Sequence, residues 1–543
     1  MNSTRTSLLL TILLVILPVY GQKKALNSIT IPDLKSHMYF LASDEMKGRD
    51  TGEDELLIAG RYLAVQAEKL GLTAVDPDKD YIQYYTIEEG EYDFENSAIS
   101  VADESGIQAV NKEHFYLFPA ISGESLTITG EVVFAGYGAI DEEYDYDDLE
   151  GIDVEDKIVL IMNRAPMNED GTACQLGSKW MTLQNIQIKM DYLAAMDPKA
   201  ILVVFDPKSG MNSIEDLNPG IAQYFSKSRQ LKKDEEEINE ESTETRVALI
   251  HRSVADNILA GEGKDLVQLQ KEIDATLTPQ SFLVEGKTVT VSLKKKFREL
   301  AVPNIFGVIE GSDPDLKDEM VIFMAHFDHV GTNEQGGVFN GADDNASGTV
   351  ALLEIAQAFM AEKKRPARSI GILWVSAEEI GLFGSSYFAD HPLVPLDRIA
   401  AVINLDMVGR TVTDEDMERG RRGMTIVGKD SVKVIGGKQS SVLMQINEET
   451  LDEMGLKPNY TYNDINHPER FYYRSDHINF ARKDIPVLFY STGTHSDYHQ
   501  VTDTPDRIDY DKFQRMTRFA YKVGYNVANY KGPITVDNPM SEW

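Results

Sequence analysis

A series of short apolar runs sets the strongest limit on how this chain can fold: Asn304–Ile309, Met320–Ala325, Ser369–Val375, Ile399–Leu405 and Val487–Tyr490. They are rich in β-branched or aromatic residues, the pattern of strands buried on both faces. Between and after them lie helical patterns: Thr349–Glu362, apolar at Val350, Leu353, Phe359 and Met360, and the closing stretch Asp511–Tyr530. Asp54–Leu72 reads as a further amphipathic helix, with Leu57, Tyr62, Leu63 and Leu70 on or near its apolar face and Gly71 as its stop. Strand alternating with helix predicts an α/β sandwich, in which ligands collect beyond the C-terminal ends of the strands.

The rest of the chain has a different texture. From about Tyr92 to Lys296, β-rich runs such as Gly130–Tyr137 and Lys157–Met162 alternate with turns, and residues 232–244 are dense in charge. Residues 92–296 are therefore expected to form an inserted, mostly β domain within a discontinuous α/β domain made of 22–91 and 297–543. At 543 residues the chain is too long for one ordinary domain. A net charge of -35 opposes binding to nucleic acid or to an anionic membrane surface.

Arg5, the apolar run Leu8–Leu17 and the stretch Val19-Tyr20-Gly21 have the layout of a signal peptide over residues 1–21, so the mature chain is expected to be exported without stable membrane insertion. Cys174 is the only cysteine, which rules out an intramolecular disulfide and favours a bacterial periplasm or exterior over an animal secretory route.

The chemistry is concentrated where the apolar runs end. His326-Phe327-Asp328-His329 follows the second run, and Gly341-Ala342-Asp343-Asp344-Asn345-Ala346-Ser347-Gly348 precedes a helix. Ser376-Ala377-Glu378-Glu379 follows the third run, Asp406 the fourth, and His495-Ser496-Asp497-Tyr498-His499 the last. Taken singly, each piece has an ordinary explanation. Asp-Asp-Asn before a helix is commonly an N-cap, and a Glu-Glu pair is commonly solvated surface. Together they bring imidazoles and carboxylates to one edge of one expected sheet. Such a set without thiolates suits Zn²⁺ or a related divalent ion in a catalytic site, and so many carboxylates gathered without a cation would repel one another.

These segments, with Leu41–Arg49 near the start, resemble the co-catalytic zinc aminopeptidase family, which includes bacterial leucyl aminopeptidases, aminopeptidase Y and glutamate carboxypeptidase II. Phe134-Ala135-Gly136-Tyr137-Gly138 resembles part of a protease-associated domain. The resemblance implies a three-layer α/β/α sandwich on a mixed, mainly parallel sheet, two Zn²⁺ ions and peptide substrates. His326 and Asp406 would hold one zinc, Glu379 and His499 the other, and Asp344 would bridge them. Glu378 would be the general base, Asp328 would orient His326, and Asp343 would be structural. His329, Asp476, His477 and His495 receive no role. The same fold also serves glutaminyl-cyclase-like acyltransferases and non-catalytic receptor relatives, which remain as alternatives.

Overall fold

The computed structural model describes residues 24–75, 80–118, 124–181, 184–217, 227–232, 246–333, 335–419, 424–467 and 469–540. The expected signal segment and most of the charged stretch 232–244 lie outside the described residues. The chain divides into two compact units, Met1–Ile87 with Leu300–Trp543, and Glu88–Glu299.

The first unit is built on a mixed sheet. Its strands are β1 (Ser281–Ile309, of which residues 300–309 belong here), β2 (Met320–His326), β3 (Ser369–Val375), β4 (Ile399–Leu405), β5 (Ser431–Gly436), β6 (Lys457–Asn459) and β7 (Val487–Ser491). Their spatial order is β6-β5-β7-β4-β2-β3-β1. The central pairs β2–β3, β2–β4 and β4–β7 are parallel, and β1–β3 and β5–β7 are antiparallel. β2, β3, β4 and β7 are buried along their whole lengths, because helices cover both faces.

Alternation along each strand divides the core between those faces. Met320, Ile322, Met324, Leu373, Val375, Val402, Val487 and Phe489 pack with Phe388 and Phe480 in one apolar cluster. On the other face Phe323 meets Phe359 of α3 (Gly348–Ala361), which in turn meets Tyr521 of α5 (Tyr510–Asn529), and Asn526 of α5 donates to Thr450 Oγ1 of α4 (Ser441–Met454). α5 can lie close to the sheet because residue 524 is glycine; a Cβ there would run into the Phe323 ring. This is the α/β sandwich that the alternating pattern predicts, in the three-layer form with a mainly parallel centre that the family resemblance implies.

Two N-terminal helices, α1 (Ile31–Leu41) and α2 (Asp54–Leu70), pack near α3. The buried stripe of α2 is Leu56, Ala59, Gly60, Leu63, Ala64 and Ala67, while Leu57 is exposed. Of the expected set Leu57, Tyr62, Leu63 and Leu70, Leu63 lies in this stripe and Tyr62 and Leu70 are half-buried; the small residues of the stripe allow close approach where larger ones would hold the helix away. Gly71, at φ 84°, ends the helix, and its N–H bonds to Glu68 O.

The second unit carries a sheet of its own. Residues 281–294 pair antiparallel with Ser125–Ala135, which pairs parallel with Ile158–Met162. Parallel pairing continues through Ala200–Val204 to Arg246–Ile250. Ile158–Met162 and Ala200–Val204 are wholly buried, and helices Gln184–Leu193, Arg252–Leu259 and Leu266–Thr276 accompany the strands.

Among the described residues no helix is long and apolar enough to cross a membrane.

Glu354 gives the first unit a pH-dependent weak point. It is buried on α3 with Thr30 N–H 3.4 Å away, and burial, with repulsion from Asp33, pushes its carboxyl up to about 8. The folded protein therefore keeps a proton that the unfolded chain releases near 4.5. The stabilisation is complete below that pH and is lost as the pH rises through about 8. Glu354→Gln, uncharged throughout, is expected to gain Tm over wild type progressively across this interval. A Tm difference independent of pH would contradict the assignment.

Candidate metal centre

Because β2, β3, β4 and β7 run parallel, their C-terminal ends share one edge of the sheet. His326 is the last residue of β2, and Glu378 and Glu379 follow β3. Asp406 follows β4 directly, and His499 lies in the segment after β7. Asp344 arrives from the loop that leads into α3. The backbone at this edge is unusual: Ala377, Met407 and His499 all have positive φ, 56°, 56° and 52°. Non-glycine residues adopt that conformation at a cost, and such positions cluster at functional sites.

The side chains form two groups that share Asp344: His326, Asp344 and Asp406, and His329, Asp344, Glu379 and His499. Within each group one potential ligand atom per residue lies within 4.8 Å of all the others. Asp344 divides its oxygens between them, Oδ1 lying 3.5 Å from His326 Nε2 and Oδ2 3.0 Å from His499 Nε2. His326 Nε2 is also 3.5 Å from Asp406 Oδ1, and His499 Nε2 is 3.1 Å from Glu379 Oε2.

The donor set fits a divalent cation. Both nitrogens of His326 and Oδ1 of Asp406 are buried without a hydrogen-bond partner among the described residues. At 3.5 Å the imidazole and the carboxylates are too far apart for a proper hydrogen bond, yet close enough to surround an ion. Ser475 Oγ donates to the other Asp406 oxygen at 2.7 Å, which fixes the carboxylate and leaves Oδ1 facing His326.

Hydrogen bonds from the backbone hold this arrangement. Asp503 accepts the N–H groups of Asp343 (3.0 and 3.1 Å) and Asp344 (3.1 Å). Asp343 accepts Gly409 N–H at 2.6 Å, and Asn345 Oδ1 accepts the N–H groups of Gly348 and Met407. In the Asp-Asp-Asn run it is thus Asn345 that serves the start of the helix, while the Asp344 carboxylate faces two imidazoles. Gly341 allows the tight bend at φ 58°; a Cβ there would collide with Asp344 O and the His329 ring.

Asp328 is 3.6 Å from His326 Nδ1, beyond hydrogen-bond reach. Its oxygens instead accept the N–H groups of Glu378 at 3.2 Å and Glu379 at 3.3 Å, as well as Thr51 Oγ1–H at 3.3 Å. Glu378 belongs to neither ligand group. His495 and Asp343 lie behind the site, 3.3 Å apart, and His477 packs against Phe489 and Tyr472. Asp476 is buried beside the site, and burial lifts its carboxyl to about 7 although His326 draws it down.

Electrostatics separate the adjacent glutamates. Burial opposes the charge on Glu379 and Asp344 repels it, but His499 and His329 bring its carboxyl down to about 2. Burial pushes the Glu378 carboxyl well above the ordinary range; His326 opposes that shift, and Glu379, Asp406 and Asp476 add to it.

Two contributors escape a reading of the strand ends alone. Arg49, 1% exposed, donates from Nε to Phe327 O at 2.8 Å, from Nη1 to Leu41 O and Asn340 O at 2.5 and 2.8 Å, and from Nη2 to Gly341 O at 3.0 Å. It ties the end of β2 to the Asp344 loop. Its only sequence signal is its place in the Leu41–Arg49 stretch. Asp503 has a weaker signal still, because it acts on backbone N–H groups that any sequence would present.

Comparison with known proteins places this site in context. Residues 304–524 match peptidase family M28. Leucine aminopeptidase 2 of Arthroderma otae is 24% identical over 276 residues, 47% of this chain and 50% of that one. Aminopeptidase YwaD of Bacillus subtilis is 35% identical over 149 residues, 27% of this chain and 29% of that one. The chain thus spans half or less of the length of these curated relatives. The solved structure of an aminopeptidase from Aneurinibacillus sp. strain AM-1 aligns over 95% of this chain and 98% of its own, with a TM-score of 0.53 and 17% identity, a likeness of fold.

Arg49→Met removes a buried cation and leaves four backbone carbonyls short of a donor. It is expected to cost about 3–5 kcal/mol of stability, read as a lower midpoint in denaturant with the slope unchanged. An unchanged midpoint would show that the tether is dispensable.

Proposed function

We propose that the protein, whose residues 304–524 match peptidase family M28, is a zinc-dependent exopeptidase that removes N-terminal residues from peptides. The observation that carries this reading is the division of the Asp344 carboxylate between two imidazole–carboxylate groups at the ends of parallel strands. In it, His326 and Asp406 would hold one zinc, Glu379 and His499 the other, and Asp344 would serve both. Imidazole and carboxylate donors without thiolates suit catalytic zinc.

Zinc held there supplies Lewis-acid polarisation of a scissile carbonyl and makes water a stronger acid. The chain's own residues do the rest. Glu378, next to a ligand but outside both groups, takes the proton of the attacking water as the C–O bond forms. It returns that proton to the amine nitrogen as the C–N bond breaks. Asp328 fixes the backbone of Glu378 and Glu379 together, so the base and a ligand keep their relative places through the cycle. The high proton affinity that burial gives Glu378 suits a group that must accept a proton from water, while His326 draws it toward its ionised starting form.

The same reading assigns residues 92–296 as an inserted protease-associated-like domain, and the protein as exported.

Glu378→Gln is expected to lower kcat by about 10²–10⁴-fold while zinc content, measured by elemental analysis, stays at the wild-type level. Retained turnover would remove Glu378 as the base. Cleavage of unblocked and N-acetylated copies of the same peptide tests the exopeptidase reading. Only the unblocked copy is expected to be shortened, and equal cleavage of both would exclude an aminopeptidase. Release of a free N-terminal residue, rather than a cyclised one, separates hydrolysis from acyl transfer.

A further inference from the structure

His329 is fully buried against the Asp344 loop and has no part in the proposed ligand set or proton transfer. Its Nδ1 lies 2.7 Å from Glu379 Oε1 but 3.9 Å from Asp344 Oδ2. The other Glu379 oxygen, Oε2, faces His499 Nε2 at 3.1 Å. The glutamate is therefore split: one oxygen turns toward the shared carboxylate and imidazole group, and the other is engaged by His329. A carboxylate oxygen only accepts, so the short contact requires Nδ1 to carry the proton and donate. Nδ1 then has no lone pair free for a cation.

The ring is held where it can do this. Its backbone N–H bonds to Arg49 O at 3.3 Å, and Gly341 packs so closely on the ring that a Cβ there would overlap it. The His499 ring meets it edge-on at 5.4 Å between centroids. The remaining ring nitrogen, Nε2, has no hydrogen-bond partner among the described residues, so Glu379 is the side-chain contact that fixes the tautomer.

We propose that His329 is a positioning residue: its Nδ1–H holds Oε1 of Glu379, keeps that carboxylate from turning both oxygens toward the cation, and so sets the affinity and coordination number of the Glu379–His499 site. The inference rests on the zinc reading given above and extends it to a residue outside the proposed ligand set. Groups that orient metal ligands in this way typically contribute 10–100-fold to metal affinity.

The test uses the full chain, stripped of metal and titrated with Co²⁺, with uptake followed by the visible absorption of the bound ion. The variants are His329→Ala and His329→Asn, whose amide N–H can stand where Nδ1–H stands. His499→Ala marks which transition belongs to the Glu379 group. His329→Ala is expected to weaken Co²⁺ binding at that site by about 10–100-fold. Its absorption should also fall as the glutamate becomes bidentate and the coordination number rises. His329→Asn should restore both the affinity and the band intensity, a rescue that a purely structural role would not produce. Wild-type binding in His329→Ala would overturn the proposal. So would equal loss of the site in both variants, since the ring nitrogen would then itself be a ligand. Wild-type protein that takes up no Co²⁺ would instead bring down the metallopeptidase reading on which the proposal stands.

Discussion

The crowding of carboxylates at one sheet edge is the constraint to which the rest of the first unit answers. Asp328, Asp343, Asp344, Asp406, Asp476 and Asp503 are all buried, and Glu378 and Glu379 stand among them. Isolated buried charges cost several kcal/mol each even after relaxation. Some are met by hydrogen bonds: Asp503, Asp343 and Asp328 each accept backbone N–H groups. Arg49 adds a fixed positive charge close to Asp328 and Asp344. Asp344, Glu379 and Asp406 are left facing imidazoles instead, and that remainder is the charge a divalent cation would balance.

This division explains why the site depends on elements far from it in sequence. The Asp344 loop is fastened by Arg49 from before α2 and by Asp503 from before α5. Neither touches a ligand atom of the loop; each grips its backbone. A chain folded with the correct sheet but without these two fastenings would still bring His326, Glu379 and Asp406 to the edge, since their strands deliver them. Asp344 would keep only the tethers that its neighbours Asp343 and Asn345 make to the chain after β4. The shared carboxylate, on which the pairing of the two groups depends, is therefore the member whose position is secured by tertiary contacts and not by a strand.

The same distinction separates what was legible in the sequence from what was not. β2, β3, β4 and β7 announce themselves as apolar runs because helices bury both of their faces, and the residues that follow them inherit a predictable place. β5 and β6 were not anticipated. β6 is only Lys457–Asn459, with two exposed residues, and Lys433 interrupts the apolar run of β5. On α2 the expected set includes Leu63 of the true stripe but takes Leu57 in place of Leu56, since the two are equally apolar and only packing chooses between them. At the site, ligand-type residues at strand ends stood out by chemistry. Arg49 and Asp503 did not, because an arginine that donates to carbonyls and an aspartate that accepts N–H groups look like any other surface pair until the chain is folded. His329 was visible but ambiguous: in His326-Phe327-Asp328-His329 nothing in the spacing says which imidazole faces which carboxylate.

The adjacent pair Glu378–Glu379 shows how little separates two roles. The two residues open a turn, in which the N–H groups of Gly381 and Leu382 bond to Glu378 O, and Asp328 anchors both of their own backbone N–H groups at once. Ala377, at φ 56°, turns the chain out of β3 immediately before them. One carboxylate is thereby committed to His499 and His329, beside which its carboxyl stays low. Its neighbour remains outside both groups, where burial raises its affinity for a proton. A ligand must stay charged while a base must alternate between charged and neutral. On the proposed reading, two consecutive residues would meet both demands through different neighbours, not different chemistry.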